Sequence, residues 1–512
     1  MQLGRRPVFF GLGLATLVGG FGRSAYSRRW RDRPQQTPHP LGGTAPTGDT
    51  SENAGSGTAN DTASPATIEG YCSATSVVQG GVLQFHVRAA WPTSFYTVDI
   101  YRVGATDSLV ASEPTLGTTF IPSQPEDDVT LAQNGCNWPV GYTLPIGPSW
   151  PSGLYYARLT GYGDRGGTAP TGAGTVLGFV VTPVAPGSGA RILLCITDTT
   201  YQAYNDWGGR SLYSTPQAVR VSYDRPYDGS GTLPIGDGEV PFIRWAERKG
   251  IAIHYCSDSD LHKGSILKNY SLLLSVGHDE YWTKQMFDNV QSYVANGGNV
   301  CFFSGNDLFW QARLENNDRS LVCYKYAATD PIQDPALGGP TILWYATGRP
   351  GNTLVGAGPE YGAGWWSNVQ PTPARLRGYV VQNTDHWVFA GTGLKAGDII
   401  GQGDTIGHAI LGYETDAAQY TLVNGIAQPT GADGSPTNFT ILGFADLTDW
   451  PDNGADGRAG YATMGIHQIN GGTVFTAGTV NWAAALRTDV ADRTIRIITS
   501  NLVSRLGSGL PA

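Results

Sequence analysis

The apolar run Leu272-Leu273-Leu274-Ser275-Val276, set between Ser271 and Gly277, constrains this chain more than any other stretch. Consecutive apolar residues closed by a Gly read as a buried strand. From Tyr281 to Asn296 the spacing changes. Trp282, Met286, Val290, Tyr293 and Val294 recur at the interval of one helix face. Gly297 and Gly298 then supply a left-handed stop. Between the two elements lie His278, Asp279 and Glu280. A His and a Glu are therefore predicted where a strand hands over to a helix, which in open α/β sheets is where ligands bind. A plain helix cap is the alternative, because an acid near a helix N-terminus is favoured by the dipole.

The same rhythm recurs on either side. Arg191–Thr197 (RILLCIT), Ile251–Tyr255 and Asn299–Phe303 read as strands, and Glu239–Lys249 reads as a helix closed by Gly250. Strands alternating with helices predict right-handed crossovers and a parallel sheet. The expected domain spans 190–508 and is α/β, a parallel sheet of the Rossmann or glutamine-amidotransferase-like kind. Short, Gly-rich strands predict a β-rich insertion at about 340–440. Thr473–Ala477 then restores the sheet, and Asn481–Leu506 reads as mostly helix. Glutamine amidotransferase chemistry is disfavoured, because the strand–helix turn carries His278-Asp279-Glu280 where a Cys nucleophile is needed. Upstream, Val82–Val87, Tyr96–Tyr101 and Leu154–Leu159 alternate with period two, which predicts an immunoglobulin-like β-sandwich over 67–184.

Residues 31–66 are rich in Thr, Gly, Pro, Ala and Ser and read as a flexible linker. Residues 1–30 read as a targeting segment. Arg5-Arg6-Pro7-Val8-Phe9-Phe10 has the form of a twin-arginine signal, which implies export to the periplasm or the exterior. The weakly apolar stretch Val8–Gly20 is too short and Gly-rich to span a bilayer, so no span is expected in the mature chain. The formal charge is −9 with no basic block beyond the N-terminus, which argues against nucleic acid as a partner. None of the six Cys forms a CxxC pair, which argues against a zinc ribbon. Cys195 and Cys301 sit in apolar runs as core residues. Cys72 and Cys136 share the predicted sandwich, and their pairing stays open.

Three strand ends carry polar clusters. After RILLCIT comes Asp198-Thr199-Thr200-Tyr201-Gln202-Ala203-Tyr204-Asn205-Asp206-Trp207, continuing to Tyr213. His278-Asp279-Glu280 follows the second strand, and Ser304-Gly305-Asn306-Asp307 follows NVCFF. Three polar ends at the carboxyl edge of one sheet would converge on one crevice.

These segments also carry a resemblance. "TDTTYQAYNDWGGRSLYS", "GHDEYW", "SGND" and "LGYETD", with the close "VFTAGTVNWAAAL" and "RIITSNLVSRL", resemble the N,N-dimethylformamidase large (beta) subunit and its relatives over roughly 190–506. The resemblance implies a mononuclear ferric iron held by two tyrosines and a glutamate, at positions matching Tyr204, Tyr213 and Glu280. Tyr201 and Tyr223 are nearby rivals of Tyr213. The donor types suit the ion, since a hard cation prefers anionic oxygen and lowers a phenol's pKa. The resemblance further implies His278, Asn306 and Glu414 as the hydrogen-bonding and catalytic residues. Glu414 would be the general base for water or the attacking carboxylate. Asp279 would be a bystander. The expected function is exported, iron-dependent hydrolysis of a C–N bond in a small amide-containing substrate. The characterised amidase works with a separate small subunit, and this chain encodes none; a homo-oligomer stays open. The competing reading is a non-catalytic cell-surface or glycan-binding protein, for which the sandwich and Gly364-Trp365-Trp366 speak. A carboxylate-paired glycosidase is a third.

Overall fold

The computed structural model describes residues 68–508, apart from 119–128, 173, 228–237, 366–374, 404–407, 454–459 and 491. The predicted targeting segment and linker, and Trp366, lie outside the described residues.

Two facing sheets form the first layer pair. One is antiparallel, with the order Ile68–Cys72, Val82–Ala89, Val140–Pro145. The other runs Ser76–Val78, Thr175–Thr182, Gly153–Tyr162, Phe95–Arg102, Ser108–Gly117. Their alternating inward residues, among them Leu83, Phe85, Val98, Ile100, Tyr155 and Phe179, make one core. Cys72 and Cys136 are both free thiols. Cys72 donates to the Gly178 carbonyl, and Cys136 packs with Tyr71 and Trp138.

The main sheet has nine strands. Ile253–Ser257, Ile192–Ile196, Leu272–His278, Asn299–Gly305 and Gly472–Thr476 lie parallel, followed by Tyr461–Ile469, Thr440–Asp446, Tyr379–Val381 and Ile399–Ile400 in antiparallel order. Along the central strand, Leu272, Leu274 and Val276 enter one core with Phe242, Ile498 and Leu502. Leu273 enters the opposite one with Met286, Phe287 and Val290. Burial on both faces explains the unbroken apolar run. The outer strand Ile253–Ser257 would expose an unpaired edge. The sandwich covers it: Ser152 Oγ accepts from the Tyr255 backbone N–H at 2.9 Å, and Thr75 meets Ser257 at 3.2 Å.

The expected α/β fold, a Rossmann or glutamine-amidotransferase-like parallel sheet, is overturned. Among the described residues strand accounts for 36% and helix for 21%, and the sheets are mixed or antiparallel, so the chain is β-rich. The physical cause is a turn. Asn470 (φ 48°) and Gly471 (φ 101°) join Tyr461–Ile469 to Gly472–Thr476, and a two-residue Asn-Gly loop with both φ positive makes an antiparallel hairpin. The predicted helix from Tyr281 also starts late. Tyr281–Thr283 is a strand paired with Trp310–Ala312, and the helix runs Lys284–Ala295, with Thr283 Oγ1 accepting from Met286 N at 3.1 Å. Glu280 therefore leads directly into a strand of a second sheet rather than capping a helix. The helix predicted over Asn481–Leu506 is confined to Arg493–Gly507, preceded by a 3₁₀ turn at Trp482–Leu486.

Candidate functional site

Three adjacent strands of the main sheet, ending at Ile196, His278 and Gly305, deliver their C-terminal residues to one crevice. The short helix Asp198–Tyr204 follows the first strand. Its threonines fasten it to the second: Thr200 Oγ1 accepts from Glu280 N at 2.9 Å, and Thr199 Oγ1 donates to the Tyr281 carbonyl at 2.7 Å. Gly277 (φ 91°) bends the strand before His278, and a Cβ there would stand 3.0 Å from the Gly238 Cα.

Glu280 is fully buried, and both its oxygens accept from phenols. Tyr204 Oη donates to Oε2 at 2.8 Å, Tyr213 Oη donates to Oε1, and the two rings stack at 4.4 Å. Tyr201 instead donates to Glu239 at 2.5 Å, and Tyr223 lies beside Asp198. Burial pushes both site phenols well above 10, and the Glu280 charge adds to it. Burial also raises Glu280, opposed by the Lys325 ammonium and the phenol hydrogen bonds.

Opposite stand His278, Asn306 and Glu414. His278 Nε2 lies 3.2 Å from Glu414 Oε2 and 3.6 Å from Glu280 Oε2. Asn306 Nδ2 is 3.2 Å from His278 Nε2 and 3.5 Å from Glu414 Oε2. Burial takes the imidazole down to about 4, so at neutral pH it stands uncharged beside the two carboxylates. With 23% of its side chain exposed, His278 is more open than either glutamate. Glu414 comes from a segment that bridges to Gly364, and its carbonyl accepts from Val480 N at 3.2 Å. Asp279 faces away: it accepts from Ser275 Oγ at 2.6 Å and Trp282 Nε1 at 2.7 Å, tying the turn down.

Two residues escaped the sequence reading. Asp416, fully buried, accepts from Asn306 N at 2.9 Å and Asp307 N at 3.0 Å. It thereby holds a turn in which Asn306 (φ 53°) and Leu308 (φ 50°) are left-handed, a conformation costing roughly 1–3 kcal/mol per residue. The "LGYETD" motif contains Asp416, but a contact 110 residues away leaves no local pattern. Lys325 is the second. Its Nζ donates to the Leu212 carbonyl at 2.8 Å and sits 3.5 Å from the centre of the Tyr213 ring and 4.8 Å from that of Trp310. Lys325→Met should cost about 2 kcal/mol, the loss of a charge-assisted hydrogen bond and a cation–π contact, as read by urea denaturation.

Among the described residues no three His, Cys, Asp or Glu side chains are grouped to hold a metal ion. Tyr204, Tyr213 and Glu280 add phenols to that chemistry, and they fit one. Two phenols and a carboxylate are hard oxygen donors, the set a hard cation takes. Trp365, offered by the sequence as a sugar platform, is buried against Trp450 at 5.4 Å. Among the described residues no helix is long and apolar enough to cross a membrane.

A mixed-sheet scaffold presenting two tyrosines on one buried glutamate, faced by a His–Asn–Glu cluster, defines a class of oxygen-donor site. The chain belongs to the family described as "N,N-dimethylformamidase beta subunit-like, C-terminal", matched over residues 97–494. It is similar to the N,N-dimethylformamidase beta subunit of Paracoccus aminophilus, 22% identical over 341 residues. It is similar to that of Alcaligenes sp. at 22% over 333 residues. Each alignment covers 61% of this chain and 42% of the relative, so the chain spans about two fifths of their length. A solved structure titled for T cell activation by the superantigen toxic shock syndrome toxin-1 aligns with 23% of this chain and 99% of its own, at 17% identity. Its TM-score is 0.15, and it carries no argument.

Proposed function

We propose that this chain is an iron-dependent hydrolase of a C–N bond in a small amide, acting after export by its twin-arginine segment. The observation that carries the reading is the convergence of two phenols on the Glu280 carboxylate, facing Glu414 across His278. The names of the similar proteins support the amide. Arg5-Arg6 supports export.

Tyr204, Tyr213 and Glu280 would hold the iron, with Lys325 behind Tyr213 offsetting their negative charge. Bound there, the ion supplies a Lewis acid that polarises the amide carbonyl. Glu414 takes a proton from a water as the water oxygen attacks the carbonyl carbon. When the C–N bond breaks, Glu414 returns that proton to the leaving nitrogen, so the products are a carboxylic acid and an amine. Asn306 Nδ2 orients Glu414 and the attacking water. The His278 imidazole, set between Glu280 and Glu414, hydrogen-bonds the developing oxyanion.

Glu414→Gln tests this division of labour. It should retain iron at the wild-type ratio and lose turnover by roughly 10²–10⁴-fold, the range of a general base. Full turnover in that variant, with any hydrolysable amide, would remove Glu414 from the chemistry.

A further inference from the structure

The segment Asn205–Leu212 joins the two tyrosines. Among its residues only Leu212 contributes a buried large apolar side chain. Such a loop cannot order itself by burial, so its conformation must be imposed from outside. Besides Lys325, whose Nζ donates to the Leu212 carbonyl at 2.8 Å, two agents impose it. From within its own unit, the fully buried Arg225 guanidinium donates to the carbonyls of Asn205, Trp207 and Arg210, each at 2.7 Å. The second agent is the sandwich. Trp207 Nε1 donates to Glu69 Oε1 at 2.9 Å, and its ring meets Trp138 edge-on at 5.9 Å. Gly208 packs on Ala132. Glu69 is itself set by Arg88 at 3.6 Å, and the Arg88 guanidinium lies 5.7 Å from the Trp138 ring centre. The socket therefore consists of sandwich residues more than 60 positions upstream of the tyrosines.

We infer that the sandwich is a positioning device for the site: Glu69 and Trp138 seat Trp207, and the seated loop brings the Tyr204 and Tyr213 phenols to one carboxylate. The assignment of iron to those phenols is the reading proposed above, and the coupling itself does not need it. The loop has one closing backbone bond near each tyrosine, Asn205 N to the Tyr201 carbonyl and Leu212 N to the Ala203 carbonyl, at 3.0 and 2.9 Å. Trp207 lies between them, where a displaced side chain moves both.

The experiment uses the full chain in three forms, wild type, Glu69→Ala and Glu69→Gln. Glutamine keeps an acceptor oxygen for the indole N–H; alanine removes it. In each form, hydrogen exchange of peptides covering 203–213 and 82–89 is measured without metal. After loading with Fe(III), the visible tyrosinate-to-iron band and the rate of iron loss to EDTA are recorded. The expected result for Glu69→Ala is exchange at least fivefold faster over 203–213 with 82–89 unchanged, a shifted band and roughly tenfold faster iron loss. Glu69→Gln should return all of these towards wild type. Wild-type exchange over 203–213 in Glu69→Ala would overturn the inference. So would equal loss of protection over 82–89 without rescue by Gln, which marks a purely structural role. A wild type that binds no Fe(III) defeats the iron reading, and the exchange result still decides the coupling.

Discussion

Glu280→Gln should abolish hydrolysis, by on the order of a thousandfold or more, and reduce bound iron to background. The magnitude follows from the several kcal/mol that a metal contributes as a Lewis acid, with each 1.36 kcal/mol worth a factor of ten. Gln keeps the side-chain volume and one acceptor oxygen, so the packing around Tyr204 and Tyr213 survives. What it removes is the negative charge and the second oxygen, and both oxygens are in use. Lys325, whose charge opposes the burial of Glu280, is left facing a neutral amide. Metal content, turnover and far-ultraviolet circular dichroism measured together separate loss of the ion from loss of the fold.

The largest stability effect should come from Asp330. Arg313 grips it with both terminal nitrogens, at 2.8 and 2.9 Å, and the pair is buried. Burial alone would raise the Asp330 pKa. The hydrogen bonds from Arg313, Thr341 and Ile332 outweigh it and bring the carboxyl down to about 2. Asp330→Ala leaves the buried Arg313 guanidinium only the Gly339 carbonyl at 3.0 Å and Glu315 at 3.5 Å, and should cost roughly 3 kcal/mol in urea denaturation. Replacing both partners with apolar residues should recover most of that. The pH dependence has a definite sign. The folded pKa lies below the unfolded value of 3.8, so the contribution is complete above pH 3.8 and is lost as pH falls through about 2. Between those limits it amounts to about 2.5 kcal/mol, from 1.36 kcal/mol per unit. Wild type should therefore lose stability over that acid window relative to Asp330→Asn. The consequence reaches the site, because Arg313 belongs to the strand Trp310–Glu315, whose entry residues Phe309 and Trp310 donate to the Glu280 carbonyl.

What could be read from the sequence was whatever one strand or one helix face writes into a short window. The strands at Ile192–Ile196, Leu272–His278 and Asn299–Gly305 are apolar because both their faces are covered, and that leaves an unbroken run. Parallel order, by contrast, was an inference from alternation. It failed beyond Gly472–Thr476, where Asn470-Gly471 turns the chain back on itself. The start of the helix at Lys284 was misplaced because Trp282 suits a helix face and a strand equally; its pairing with Gln311 decides it. The candidate site follows the same rule. Residues at strand ends, such as His278, Glu280 and Asn306, stood out by position. Choosing Tyr213 over Tyr201 and Tyr223 depends on a carboxylate 67 residues away, and Asp416 and Lys325 act only through distant partners.

The most direct test of the account is elemental analysis, with the visible spectrum, of the folded full chain after loading with Fe(III). The account predicts one iron per chain and a tyrosinate-to-iron band that shifts and weakens in Tyr204→Phe and disappears when Tyr213→Phe is added. Folded protein that takes up no iron under any loading condition, or a Glu280→Ala variant that binds it as wild type does, would contradict it.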